Sequence, residues 1–111
     1  MLISEVVGSK IVLHANGRID SRTSQNFEKQ FLEAIGAGNE AVIIDFKGIE
    51  YISSAGLRSL LIIAKHMQEA NRDIALCAMN ENVIEVIRIT GFLSLFTIYP
   101  DLNTAIKKMK K

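Results

Sequence analysis

Residues Ala41–Phe46 read AVIIDF, apolar except for one acid, Asp45. A strand with one face in water alternates apolar and polar residues, and this run does not. It is short and unbroken, which suits a strand covered on both faces. A chain carrying such a strand needs packed layers on each side of a sheet. The run opens into DFKGIEYISSAGL, Asp45 to Leu57. That segment reads as the end of the buried strand, a turn holding Ser53 and Ser54, and the start of a helix.

The rest of the chain alternates strand and helix. Leu2–Val7 and Lys10–Arg18 read as strands joined by a tight turn at Gly8-Ser9, the signature of an antiparallel hairpin. In the second strand Ile11, Leu13 and Ala15 alternate with Val12, His14 and Asn16, which places His14 on the more polar face. Asp20 and Ser21 are expected to cap a helix over Thr23–Ala37, with Phe27, Phe31, Ala34 and Ile35 inward and Gly36 and Gly38 ending it. A second helix is expected from Ala55 to about Ala70, then a strand over Asp73–Ala78. Asn80 caps a third helix through Thr90, closed by Gly91. A short strand over Leu95–Tyr99 and a last helix capped by Asp101 complete the chain. Strands joined through helices lie parallel with right-handed crossovers. The expected fold class is therefore α/β: one domain over residues 1–111, with a mixed sheet and packed helices.

Composition narrows function by exclusion. With 111 residues, 49% hydrophobic, the chain can bury a single core and is not expected to be disordered. A net charge of +1 gives no overall field for nucleic acid. The basic end, Lys107–Lys111, suits a solvated helix C-terminus, where cations are favourable. No apolar run approaches the roughly 20 residues of a membrane span, and no leader pattern opens the chain. The single cysteine, Cys77, sits in an apolar strand and reads as a small core residue. Together these features lead to the expectation of a cytoplasmic protein with no direct membrane insertion.

Catalytic motifs are missing. The sequence has no GxGxxG, no GxxxxGK[ST] and no HExxH. His66 lies three turns along the helix that Ser54 starts, roughly 18 Å away at 1.5 Å per residue, so the two cannot form a nucleophile–base pair. His14 stands open as a base on sequence grounds, with nothing supporting it. No catalytic residue, metal site or cofactor is expected.

A helical wheel over the second helix puts Leu57, Leu60, Leu61, Ala64 and Met67 on one face. Arg58, Ser59, Lys65, His66 and Glu69 fall on the other. Ile62 lands within that polar face, one turn from Arg58. An isolated exposed isoleucine is ordinary on a surface. An apolar residue beside an arginine, one to two turns from Ser54, also suits a docking spot.

GRID at Gly17–Asp20, the opening hairpin and DFKGIEYISSAGL together resemble the stand-alone bacterial STAS domain (sulfate transporter and anti-sigma-factor antagonist). The resemblance extends over essentially the whole chain. It implies a sheet of about five strands with an antiparallel first hairpin and about four helices. It also implies an anti-sigma factor antagonist that is not an enzyme. In such proteins the serine two residues before the glycine, here Ser54, is phosphorylated by an anti-sigma factor serine kinase. The unphosphorylated form binds that kinase and makes it release a sigma factor; a serine phosphatase reverses the modification. Many members carry an acid where this chain has Ser53, which makes Ser53 the alternative phosphorylation site. The expected partner-binding residues are Asp20, Ser53, Ser54, Gly56, Arg58 and Ile62, with Asp45 a further candidate. The same resemblance leaves a second function open: a non-enzymatic subunit of a membrane-transport complex, such as a lipid-transport ATPase.

Overall fold

A computed structural model describes residues 1–109. Lys110 and Lys111, part of the basic end, lie outside the described residues. The elements run β1 (Leu2–Val7), β2 (Lys10–Ile19), α1 (Ser24–Ile35), β3 (Ala41–Ile52), α2 (Ser54–Glu69), β4 (Ile74–Cys77), α3 (Glu81–Ile89), a 3-10 turn (Phe92–Leu95), β5 (Thr97–Tyr99) and α4 (Leu102–Lys108). The strands form one sheet in the order β1-β2-β3-β4-β5. β1 and β2 are antiparallel, and every other neighbouring pair is parallel. The expected fold class is the one observed.

The unbroken run behaves as its composition demands. Val42, Ile44 and Phe46 point into the larger core with Phe27 and Phe31 of α1, Leu60 and Ile63 of α2, and Val83 and Ile87 of α3. Ile43 points to the other face, into a smaller core of Val12, Ala75 and Cys77 closed by Ala105 and Met109. All six residues from Ala41 to Phe46 are buried. Three helices cover one face and α4 covers part of the other. Cys77 is fully buried, and that burial pushes its thiol up to about 12, with the nearby Asp45 and Asp101 carboxylates adding to the shift. It is the inert core residue that its sequence context implies.

Local cap signals predict the helix starts where the cap is the only determinant. Asn80 accepts the backbone N–H of Val83 (2.8 Å) and Asp101 that of Thr104 (2.7 Å), as expected. α1 differs. It spans Ser24–Ile35 rather than Thr23–Ala37, and its N-cap, Thr23, makes no side-chain cap bond. Asp20 instead closes the preceding turn by accepting from the backbone N–H of Arg22 (3.0 Å), and Ser21 is exposed. The strand expected at Leu95–Tyr99 is shorter, because Phe92–Leu95 winds into a 3-10 turn first.

The largest departure is β3. Lys47 and Gly48 read as the end of the strand, yet it continues six residues beyond Phe46 to Ile52. The partner is the reason. β2 keeps pairing, matching Asn16 with Gly48, Gly17 with Ile49, Arg18 with Tyr51 and Ile19 with Ile52, across two register shifts. At each shift β3 advances one residue more than β2, which changes which residues of the two strands lie opposite. Gly17 adopts φ +96 at the second, a conformation that L side chains rarely reach.

Candidate functional site

The C-terminal ends of β2 and β3 lie side by side, and the serine turn is built on them. Ser53 donates its backbone N–H to Ile19 O (2.9 Å), which ties the turn to the loop carrying Asp20. Ser53 is extended (φ −100, ψ −179) and its Oγ accepts the backbone N–H of Gly56 at 3.3 Å. It is therefore the N-cap of α2. Ser54 is the first helical residue and is exposed, and its hydroxyl has no hydrogen-bond partner among the described residues.

This reverses part of the sequence expectation. A helix beginning at Ala55, as the sequence suggests, would put the N-cap hydroxyl on Ser54. Because β3 runs to Ile52, the helix starts one residue earlier and the cap falls on Ser53. The exchange separates the two hydroxyls by task. Ser53 is half-buried and committed to the backbone; Ser54 is free and accessible.

Gly56, expected at the partner surface, is buried in the unbound molecule. A Cβ there would stand 2.4 Å from Ile19 O and 2.6 Å from Ile52 Cγ1, both closer than real contacts allow. The glycine lets the first turn of α2 lie directly against the ends of β2 and β3. It supports the site from beneath and takes no direct part in the surface.

The wheel is right about most of α2 and wrong at two positions. Arg58 and Ile62 are exposed as expected, Ile62 at 43%. Leu61 is only half-buried, and Ile63 takes an inward place. Ser59 is buried at 1% instead of facing solvent. Its Oγ donates to Glu28 Oε2 (2.5 Å) and lies 3.2 Å from Ser24 O, both on α1. A small hydroxyl with a partner on the neighbouring helix satisfies itself inside a helix–helix contact. A wheel drawn for one helix has no access to that partner.

Asp20 sits in a tight loop. Its carboxylate accepts from the Arg22 N–H, and its own N–H donates to Thr23 Oγ1 (2.9 Å). The Arg22 N–H bond, followed by that from Arg18, holds the carboxyl below the usual aspartate range. Arg18 Nε approaches Asp20 Oδ2 at 3.4 Å, and its guanidinium carbon lies 4.6 Å from the centroid of the Tyr51 ring. Neither Arg18 nor Tyr51 was singled out from sequence as a contact residue. Their stacking depends on the shifted register of β2 and β3, and no local pattern encodes it.

Asp45 stands apart from this site. It is not a strand-end acid but lies within β3, on the face away from α2. Its Oδ2 is 2.8 Å from His14 Nδ1, and its Oδ1 accepts the Lys47 N–H at 2.9 Å. His14 Nε2 in turn lies 2.5 Å from Glu5 Oε2. One imidazole thus bridges carboxylates on β1 and β3, chiefly through Glu5, and its pKa is raised above the usual 6.5. His66 sits in the last turn of α2, at the end opposite the serines.

The molecule is therefore an α/β domain whose central strand feeds a capped helix with an unengaged serine in its first turn. The chain belongs to the STAS domain family, whose model matches residues 2–105. It is 30% identical over 109 residues to BtrV of Bordetella bronchiseptica, a protein whose name describes an anti-sigma factor antagonist; the match covers 98% of this chain and 94% of that one. The fold is similar to that of an anti-sigma factor antagonist from Mycobacterium paratuberculosis, with a TM-score of 0.87, 23% identity, and coverage of 100% and 94%. It also matches the anti-sigma factor antagonist SpoIIAA in its unphosphorylated form, with a TM-score of 0.72, 16% identity, and coverage of 97% and 96%.

Proposed function

We propose that this protein is a non-enzymatic anti-sigma factor antagonist switched by phosphorylation of Ser54. Unphosphorylated, it binds an anti-sigma factor serine kinase and frees a sigma factor; phosphorylation ends that complex, and a serine phosphatase restores it. The observation that carries this is the division between the two serines: Ser53 caps α2, while Ser54 stands exposed and unbonded one residue on. The likeness to BtrV over nearly the whole chain and the SpoIIAA structure in its unphosphorylated form support the same cycle.

The physics favours a switch that acts outward. A phosphate adds about −1.5 to −2 charges at neutral pH. In the first turn of α2 it meets free N–H groups and the positive end of the helix dipole, a local gain of about 0.3 to 1 kcal/mol. The fold tolerates it. Against an acidic or apolar partner surface the same dianion is repelled and poorly solvated. A penalty of about 4 kcal/mol weakens binding roughly a thousandfold.

Incubation with ATP and an anti-sigma factor serine kinase, followed by intact mass measurement, tests the proposal. A single phosphate is expected on the wild type and on Ser53→Ala, and none on Ser54→Ala. Loss with Ser53→Ala instead would move the site to Ser53. No phosphate on any form, with stable co-purification of a transport ATPase, would replace the switch with the transport role.

A further inference from the structure

The geometry points to Arg18, its guanidinium carbon over the Tyr51 ring, as the anchor that grips an acidic side chain of the partner protein. This rests on the antagonist function proposed above and specifies the chemistry of its contact. Tyr51 is 44% exposed, and the Arg18 side chain 57%. The ring supports one face of the guanidinium. Asp20 approaches only Nε, and at 3.4 Å. The two terminal nitrogens of Arg18 have no hydrogen-bond partner among the described residues. An arginine fixed by stacking, with its terminal fork open, is set up for a carboxylate. Less side-chain freedom is then lost when the contact forms.

Two further facts favour a protein carboxylate over a small anion. Both side chains are open to solvent, and neither the cleft beside the C-terminal half of α2 nor the one beside Asp45 and Asp101 includes them. A small ligand would lack walls, whereas exposed tyrosine and arginine are the residue types that dominate protein interfaces. Nearby charge also suits an acidic partner. Arg22 and Arg58 are exposed and carry no ion pair among the described residues, while the acids on the neighbouring segments are the exposed Glu50 and the half-buried Glu28, whose carboxylate accepts from Ser59. Ser54 follows Tyr51 by three residues, so at most about 11 Å of extended chain separates them. A phosphate on Ser54 would place its charge close to the same carboxylate, giving modification a defined target for repulsion.

The test measures affinity for an anti-sigma factor serine kinase with the full chain and its Arg18→Ala, Arg18→Lys, Tyr51→Ala and Tyr51→Phe variants. Melting temperatures are recorded alongside, because both side chains are exposed and the variants should fold. Arg18→Ala, Arg18→Lys and Tyr51→Ala are each expected to weaken binding at least tenfold with unchanged melting, and Tyr51→Phe to retain it. One aspartate or glutamate of the kinase, replaced by its amide, should then cause no additional loss in the Arg18→Ala background. Full affinity in Arg18→Lys or Arg18→Ala would overturn the anchor while leaving the antagonist function standing. Absence of binding by the wild type, with no phosphate on Ser54, would overturn the function and the anchor with it.

Discussion

Single side chains decide more here than their residue types suggest. Ser53 and Ser54 are chemically identical neighbours, and one residue of helix phase makes the first a cap and the second a free hydroxyl. His14 shows the same sensitivity. Its imidazole touches a carboxylate through each nitrogen, Glu5 on β1 and Asp45 on β3, and only the protonated ring can donate to both. Its folded pKa is raised, first by the Glu5 hydrogen bond. The charged form's contribution to stability is therefore fully present below the unfolded value near 6.5 and is lost as pH rises through the higher folded value. The site is partly solvated, so the effect stays below about 1 kcal/mol. Urea midpoints of the wild type should fall between pH 6 and pH 8.5 by more than those of His14→Gln. Parallel curves for the two proteins would refute the bridge.

Between elements, the key joint is the one linking α1 to β3. Arg72, 5% exposed, reaches back from the turn before β4 to donate to Glu40 O (2.9 Å), Gly36 O (3.1 Å) and Ile35 O (3.3 Å). It satisfies carbonyls at the C-terminus of α1 and fixes the turn into the central strand. Arg72→Met should remove about 2 to 4 kcal/mol of stability, since those carbonyls lose their donor inside the protein. Chemical denaturation measures this, and Arg72→Lys should recover little because an ammonium cannot span the same set. Nothing near Arg72 in sequence announces this role. By contrast, the Asn80 and Asp101 caps, the opening hairpin and the buried strand were legible, because each is specified within a few residues. The length of β3, the cap at Ser53, the burial of Ser59 and the Arg18–Tyr51 stack were not. All four depend on a partner element distant in sequence: β2 for the strand, the cap and the stack, and α1 for the serine.

For the whole molecule, the two faces of the sheet are unequal. Three helices guard the larger core, while the smaller one relies on the seven-residue α4. Ala105, fully buried, seats that short helix together with Leu102 and Ile106. Ala105→Asp would place an unpaired carboxylate against Val12, Ile43 and Ala75, at a cost of about 3 kcal/mol or more. The expected result is a much lower urea midpoint; a midpoint within error of the wild type would show that α4 is dispensable to the second core.

The strand order has a consequence of its own. Because space repeats sequence from β1 to β5, no strand must wait for a later one to complete its place. Domains tend to fold from the N-terminus as they are synthesised, and pairings close in sequence form fastest. A nascent chain that has left the ribosome through Glu69 already holds β1, β2, α1, β3 and α2. Both serines, and the C-terminal end of β2 that positions them, can therefore meet before β4, β5 and α4 have been made.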